Sequence, residues 1–234
     1  MFVIRKILKI IRWAIALFFV SSILIVVAYR FIPVFATPLM FIRCYEQIKK
    51  GENLKLHHHW ITIDNMSIYM PVAVIASEDQ RFMEHHGFDY KAIQQAAKEN
   101  LSKNKKRVRG GSTISQQTAK NVFLWPGRSW VRKGLEAYFT FLIELMWSKQ
   151  RIMEVYLNSI EMGTGIYGID AVAEQHFNTI AKELTRSECA LIAATLPNPI
   201  RFNSASPDSY MRKRQRWIEV QMKHVPVLPK ENED

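Results

Sequence analysis

The sequence is short of cysteine, of acid and of linkers. Its 234 residues hold two cysteines, Cys44 and Cys189, with no C-x-x-C spacing. That excludes a zinc ribbon and is too sparse to fix the redox compartment. Cys189 lies in an Ala/Leu/Ile-rich stretch and reads as a small core residue. Asp and Glu number 21 against 32 Lys and Arg, a formal net charge of +11. Such a deficit of acid points to anionic partners: nucleic acid, phospholipid head groups or a phosphate-bearing substrate. No low-complexity tract, internal repeat or long linker is present, and 48% of the residues are hydrophobic. A disordered chain is therefore excluded, and the length suits one compact domain plus an anchor. No Gly-Lys-Ser/Thr loop occurs, so a Walker-type phosphate cradle is absent too.

What is present begins at the N-terminus. Trp13 to Tyr29 is an unbroken uncharged, mostly apolar run bounded by Arg12 and Arg30, at the short end for spanning a hydrocarbon core. Arg5, Lys6, Lys9 and Arg12 precede it and only Arg30 follows closely. The positive-inside bias then predicts a cytoplasmic N-terminus with the rest of the chain outside. A cleaved signal peptide is the rival reading, with Val34-Phe35-Ala36 as a loose cleavage site. Pro33 and bulky Phe35 make that site a poor one. The expected organisation is residues 1–36 as cytoplasmic N-terminus and transmembrane anchor, and 37–234 as one catalytic domain.

Beyond the anchor the pattern is mainly α. Pro38 to Lys50 reads as a short amphipathic helix ending at Gly51. Residues 55–69 form the best extended stretch, a short hairpin or an irregular segment. Pro71 is placed to open a helix that VAVIASEDQRFM continues without a breaker. Helices are predicted over Tyr90–Lys103, Ser129–Gln150 (Leu135, Phe139, Leu142 and Met146 at helical spacing) and Arg151–Asn158. Thr185 with Glu188 forms a capping box for a helix through Leu196, and a last helix runs from Pro207 to about Lys223.

Four segments carry candidate chemistry. Glu78 and Asp79 follow directly on apolar Val72–Ala76, and a carboxylate beside apolar surface gains proton affinity, which suits acid–base work; the plain alternative is a helix end turning into solvent. Gly110-Gly111-Ser112-Thr113 leads into Ile114–Asn121, a loop feeding a helix N-terminus that offers N–H groups to an anion, with Lys120 adding charge. Arg132 and Glu136 are four apart and read as an exposed helix ion pair. Gly163-Thr164-Gly165-Ile166-Tyr167-Gly168 fits G-x-G-x-x-G, but Arg151–Asn158 before it has helical spacing. The glycines are thus read as a tight loop with positive φ, not a dinucleotide site. His57-His58-His59 is read as an exposed loop rather than a metal site. The basic run Lys98, Lys103, Lys105, Lys106, Arg107 and Arg109 is read as a solvated loop or an anion-facing flap, and an extracytoplasmic position disfavours nucleic acid.

In order, EDQRFMEHHGFD, RGGSTISQQTAKN, RKGLE, KQRIMEVYLNSIEMGTGIYGIDAVAEQHF and ECALIAATLPNP resemble the five motifs of the peptidoglycan glycosyltransferases. These are lysozyme-like transglycosylases that stand alone or form the N-terminal module of class A penicillin-binding proteins. The resemblance runs from about Val72 to Phe202, and the chain's length fits the monofunctional form. It implies a mainly α, two-lobed fold behind one transmembrane helix, and an inverting transferase that polymerises lipid II into β-1,4-linked glycan. Glu78 matches the base that deprotonates the acceptor hydroxyl, with Asp79 and Arg81 ordering it. Glu136 matches a second acid near the donor diphosphate. Lys120 and Arg128 match residues that hold that leaving group, with Arg132 and Lys133 close by. Ser112, Gln116 and Gln117 match the donor groove. The family often requires Mg2+ or Mn2+, whose ligands in this chain are unassigned, and uses no nucleotide cofactor. Implied partners are lipid II, the growing lipid-linked strand, the bacterial inner membrane with the domain on its periplasmic side, and division or elongation proteins. Ser115, His176 and Thr195 depart from the usual residues without touching the presumed chemistry. A lytic hydrolase on the same fold, or a membrane-tethered scaffold, are the alternatives; a diphosphate-binding cationic set argues against the hydrolase.

Overall fold

The computed structural model describes residues 2–101 and 111–229. The basic residues Lys103, Lys105, Lys106, Arg107 and Arg109 lie outside the described residues, as does Gly110; Lys98 is an exposed helix residue. The chain divides into two units, residues 1–33 and 34–234.

The first unit is α1, Phe2–Phe31, about 45 Å long at 1.5 Å per residue. Among the described residues it is the helix long and apolar enough to cross a membrane. It starts well before the apolar run and takes in Arg5, Lys6, Lys9 and Arg12. Straight-chain basic residues are good helix formers, and no breaker stands before Pro33.

The second unit is built largely of helices. α2 (Pro38–Lys49) has Thr37 as its N-cap and Pro at its first turn, both favoured at a helix start. α3 spans Tyr69–Glu78, so it opens before Pro71 and stops at Glu78 rather than running on to Met83. The stop has a physical cause. Asp79 leaves helical geometry (φ −158°, ψ 74°) because its carboxylate is used elsewhere, and residues 80–87 turn back on themselves. Met70 to Ala76 are buried on every side of α3, which is why its sequence shows no polar stripe.

α4 (Tyr90–Leu101), α5 (Ile114–Phe123), α6 (Trp130–Met146) and α7 (Lys149–Ser159) follow. The two helices predicted over 129–150 and 151–158 are both present, with their boundary earlier, between Met146 and Lys149. Ser148 accepts the Arg151 N–H at 3.1 Å and starts a new helix where periodicity alone reads continuity.

β2 (Glu161–Gly163) and β3 (Ile166–Tyr167) form a small hairpin, and β1 (His57–His58) joins β3 in parallel, giving the order β1-β3-β2. The histidine run is therefore not a free loop. His58 is half-buried, its Nε2 lies 3.0 Å from the Asn158 carbonyl, and burial lowers its proton affinity. The rest of the 55–69 stretch is irregular, with one 3-10 turn at Ile63–Asn65.

α8 (Ile169–Phe177), α9 (Arg186–Thr195), with its Thr185–Glu188 capping box, and α10 (Ser209–Gln221) complete the chain. Two packed helix sets result: α3 with α9 and α10, and α5 with α6 and α7.

The glycine-rich segment is the hairpin and its exit. Gly165 has φ +73°, and a Cβ there would lie 2.4 Å from the Lys55 carbonyl oxygen. Gly165→Ala should therefore cost at least about 2 kcal/mol, from left-handed strain and a backbone clash. Thermal unfolding of the detergent-solubilised chain should drop by roughly 4–8 °C.

Candidate active site

Glu78 ends α3 where the two helix sets meet. Its Oε2 accepts from Gln117 Nε2 at 3.3 Å, and its Oε1 accepts from Ser77 Oγ at 3.1 Å. Arg214 of α10 stands 3.7 Å from Oε1. Burial raises the Glu78 proton affinity above that of an ordinary carboxyl. Arg214 and the Gln117 and Ser77 hydrogen bonds oppose the rise, and Asp79 adds to it. Gln117 is in turn held by Tyr156 of α7, whose hydroxyl donates to Oε1 at 3.4 Å. Tyr156 is fully buried, and desolvation holds its phenol protonated.

Asp79 has a different part. Its Oδ2 accepts the Ile114 N–H, the first of α5, at 3.0 Å. His85 Nε2 lies 3.0 Å from both Asp79 oxygens. The α5 N-terminus read from sequence as an anion site is thus occupied from within, by Asp79. Gln116 is occupied as well. Its side-chain carbonyl accepts the Thr113 N–H at 3.0 Å, and Thr113 Oγ1 accepts the Gln116 N–H at 3.2 Å, a capping box. Ser112 is exposed. Arg81 pairs with Glu84 and with Asp89, each at 2.8 Å. Asp89 also caps α4 through the Ala92 N–H, so Arg81 braces the loop after Glu78 and does not touch Glu78 itself.

A second cluster lies along α5 and α6. The Glu136 side chain is 4% exposed, with Arg132 NH1 3.0 Å from it and Lys133 Nζ on its other oxygen. The ion pair expected on an exposed surface is thus buried, because α6 turns this face onto α5. Lys120, half-buried on α5, feels Glu136 and Glu161 as attractive charges and Arg132 and Lys133 as repulsive ones. Burial is the largest influence and lowers its proton affinity. Among the described residues Lys120 makes no ion pair. Gln117 and Lys120 are three apart on one helix, about 4.5 Å of rise, and so share a face. Arg128 sits exposed in the loop between α5 and α6.

Sequence reasoning missed three residues: Arg214, Tyr156 and Glu161. Glu161 is buried and paired with Arg43 of α2 at 3.2 Å. Arg214 sits among exposed Arg212, Lys213 and Arg216, and nothing in that run singles it out. Tyr156 and Glu161 lie inside a long quoted motif but read there as core and hairpin residues. Among the described residues no three His, Cys, Asp or Glu side chains gather to hold a metal ion. Glu78 faces an amide and a hydroxyl donor and Glu136 two cations, so of the two Glu78 is the carboxylate with donors a metal ion could replace for the Mg2+ or Mn2+ that the resemblance implies.

This arrangement is a buried carboxylate of raised proton affinity beside a cationic cluster. A set of this kind has the chemistry to take a proton from a hydroxyl and to receive an anion. Comparison with known proteins agrees in kind. Residues 46–223 match the family described as Transglycosylase. A biosynthetic peptidoglycan transglycosylase of Bacteroides thetaiotaomicron is 60% identical over 226 residues, 97% of this chain and 90% of that protein. Its namesakes in Bdellovibrio bacteriovorus and Caulobacter vibrioides are 51% and 50% identical. They cover 93% and 92% of this chain and 85% and 91% of their own lengths. With most of its length inside that match, the chain belongs to the transglycosylase family.

Proposed function

We propose that this protein polymerises peptidoglycan glycan strands from lipid II, with Glu78 as the base and Lys120 as the centre of the leaving-group site. The observation that carries this reading is the single α5 face. On it Gln117 holds Glu78, and one turn later Lys120 lies amid Arg132, Lys133 and Glu136. Glu78 takes the proton of the acceptor sugar's 4-hydroxyl as that oxygen forms its bond to the donor's anomeric carbon. The bond from that carbon to the diphosphate breaks on the opposite face, so the α-linked donor gives a β-1,4 product. Negative charge grows on the departing undecaprenyl diphosphate. Lys120 meets it without first breaking an ion pair, while Arg132 and Lys133, balanced by Glu136, extend the cationic surface, and Arg128, exposed in the loop before α6, adds a further cation. Gln117 contacts Glu78 directly, Ser112 is exposed before α5, and Gln116 and Asp79 serve the start of α5.

The α1 helix is consistent with membrane attachment, and the excess of Lys and Arg before its apolar run supports a domain outside the cytoplasmic face. A reporter enzyme that folds only outside the cytoplasm should be active when fused to the C-terminus; an inactive but intact fusion would reverse the orientation. Division or elongation proteins are the class of partner expected beside it.

Purified chain with lipid II should yield polymer on a gel. Glu78→Gln should lower the rate by at least about 100-fold, the general-base contribution, and Lys120→Met by a similar factor through the leaving group. Near-normal polymer from Glu78→Gln would remove Glu78 from this role, and release of muropeptides from intact sacculi would favour a hydrolase. Because burial raises Glu78 and the base must be ionised, the rate should fall on the acid side with a midpoint above the ordinary 4.5. A pH–rate profile of kcat/KM reads that midpoint directly.

A further inference from the structure

α10 lies far from the acid-rich motif in sequence but packs on α3. At its centre, Arg214 turns inward while Arg212, Lys213 and Arg216 stay exposed. Its NH2 donates to Ser77 Oγ at 3.1 Å and lies 3.7 Å from Glu78 Oε1. Ser77 Oγ has one proton and two acceptors within reach, Glu78 Oε1 at 3.1 Å and the Ala193 carbonyl of α9 at 3.3 Å. Arg214 uses one of the two lone pairs of that oxygen, and the shorter of the two donor contacts of the hydroxyl is the one to Glu78.

We infer that Arg214 is a positioning residue for the transfer reaction, holding the Glu78 carboxylate ionised and oriented through Ser77 and through its own charge. The inference rests on the reading of Glu78 as the base. The charges around Glu78 make Arg214 the natural agent. Asp79, next in the chain, opposes ionisation, while Tyr156 from α7 and Gln117 from α5 bring no charge. Among the described residues Arg214 is the cation that acts on Glu78. The 3.7 Å separation is looser than the 3.0 Å of Arg132 on Glu136. A tight pair would lower the basicity that the reaction needs, and no pair would leave the carboxyl protonated in its buried setting. Arg214 Nε is buried and unpaired, so the guanidinium is not placed there for its own satisfaction.

The test compares the full-length chain with Arg214→Gln and Arg214→Lys. Gln keeps a donor for Ser77 and removes the charge; Lys keeps the charge. Two readouts are taken across pH: kcat/KM with lipid II, and carbodiimide labelling of Glu78 read by peptide mass spectrometry, which reports its protonation without turnover. Arg214→Gln should move both midpoints up by about one pH unit, the low end for a neighbouring opposite charge. It should lower kcat at neutral pH more than it raises KM, and Arg214→Lys should restore both midpoints to near wild type. An unmoved labelling midpoint in Arg214→Gln overturns the inference whatever the activity. A labelling midpoint that moves while the kinetic midpoint stays put keeps the Arg214 effect and instead removes Glu78 as the base. If Arg214→Gln does not fold, labelling of Arg214→Lys decides: a midpoint displaced as far as a unit shows that charge is not what matters.

Discussion

The Asp79 carboxylate accepts the Ile114 N–H at 3.0 Å and lies 3.0 Å from His85 Nε2, and the spacing of the site depends on that joint. α3 belongs to one helix set and α5 to the other. A carboxylate at a helix N-terminus satisfies one of the orphan N–H groups and meets the positive end of the dipole. Asp79 therefore ends α3, starts α5 and fixes the rotation of both. Glu78 is its immediate neighbour, so the register that seats Asp79 on Ile114 brings Glu78 onto Gln117, just under one turn along α5. Without the joint, Glu78 and Lys120 would sit on two elements with no shared reference.

On that frame the two glutamates diverge by environment. Glu78 keeps amide and hydroxyl donors with a cation held off at 3.7 Å; Glu136 has Arg132 at 3.0 Å and Lys133 on its other oxygen. The first carboxylate is left with raised proton affinity, and the second is held between two cations. Two acids in surroundings this different are suited to different parts. Glu136 is thus suited to hold two cations in place rather than to transfer protons itself.

What could be read from sequence was local. Caps, periodic faces and breakers gave α2, α4, α9 and α10 nearly as they stand, because those signals act within one turn. The mistakes came where a side chain answers to a distant partner. Asp79 looked like part of a continuing helix because its acceptor role toward Ile114 spans 35 residues. The loop before α5 looked open to an anion for the same reason, since its occupant is that same Asp79. Arg214 was invisible because its partner Ser77 is 137 residues away and its neighbours are solvent-facing bases. The motifs named the acids and bases of the site, but only the fold distinguishes those that meet a substrate from those that hold others in place.

The unpaired donors show what this arrangement costs. Arg132 Nε and Arg214 Nε are buried without a partner, each on a residue that contacts one of the two glutamates or its serine neighbour. A buried donor left unpaired costs about 1–3 kcal/mol, and a fold shaped for stability alone would have closed these guanidiniums into bidentate pairs. Closing Arg214 onto Glu78 would hold that carboxylate more firmly ionised. Freeing Arg132 from Glu136 would leave that buried acid with Lys133 as its remaining ion pair. On the proposed function, the incomplete pairing leaves Glu78 able to exchange a proton while Glu136 stays between its two cations.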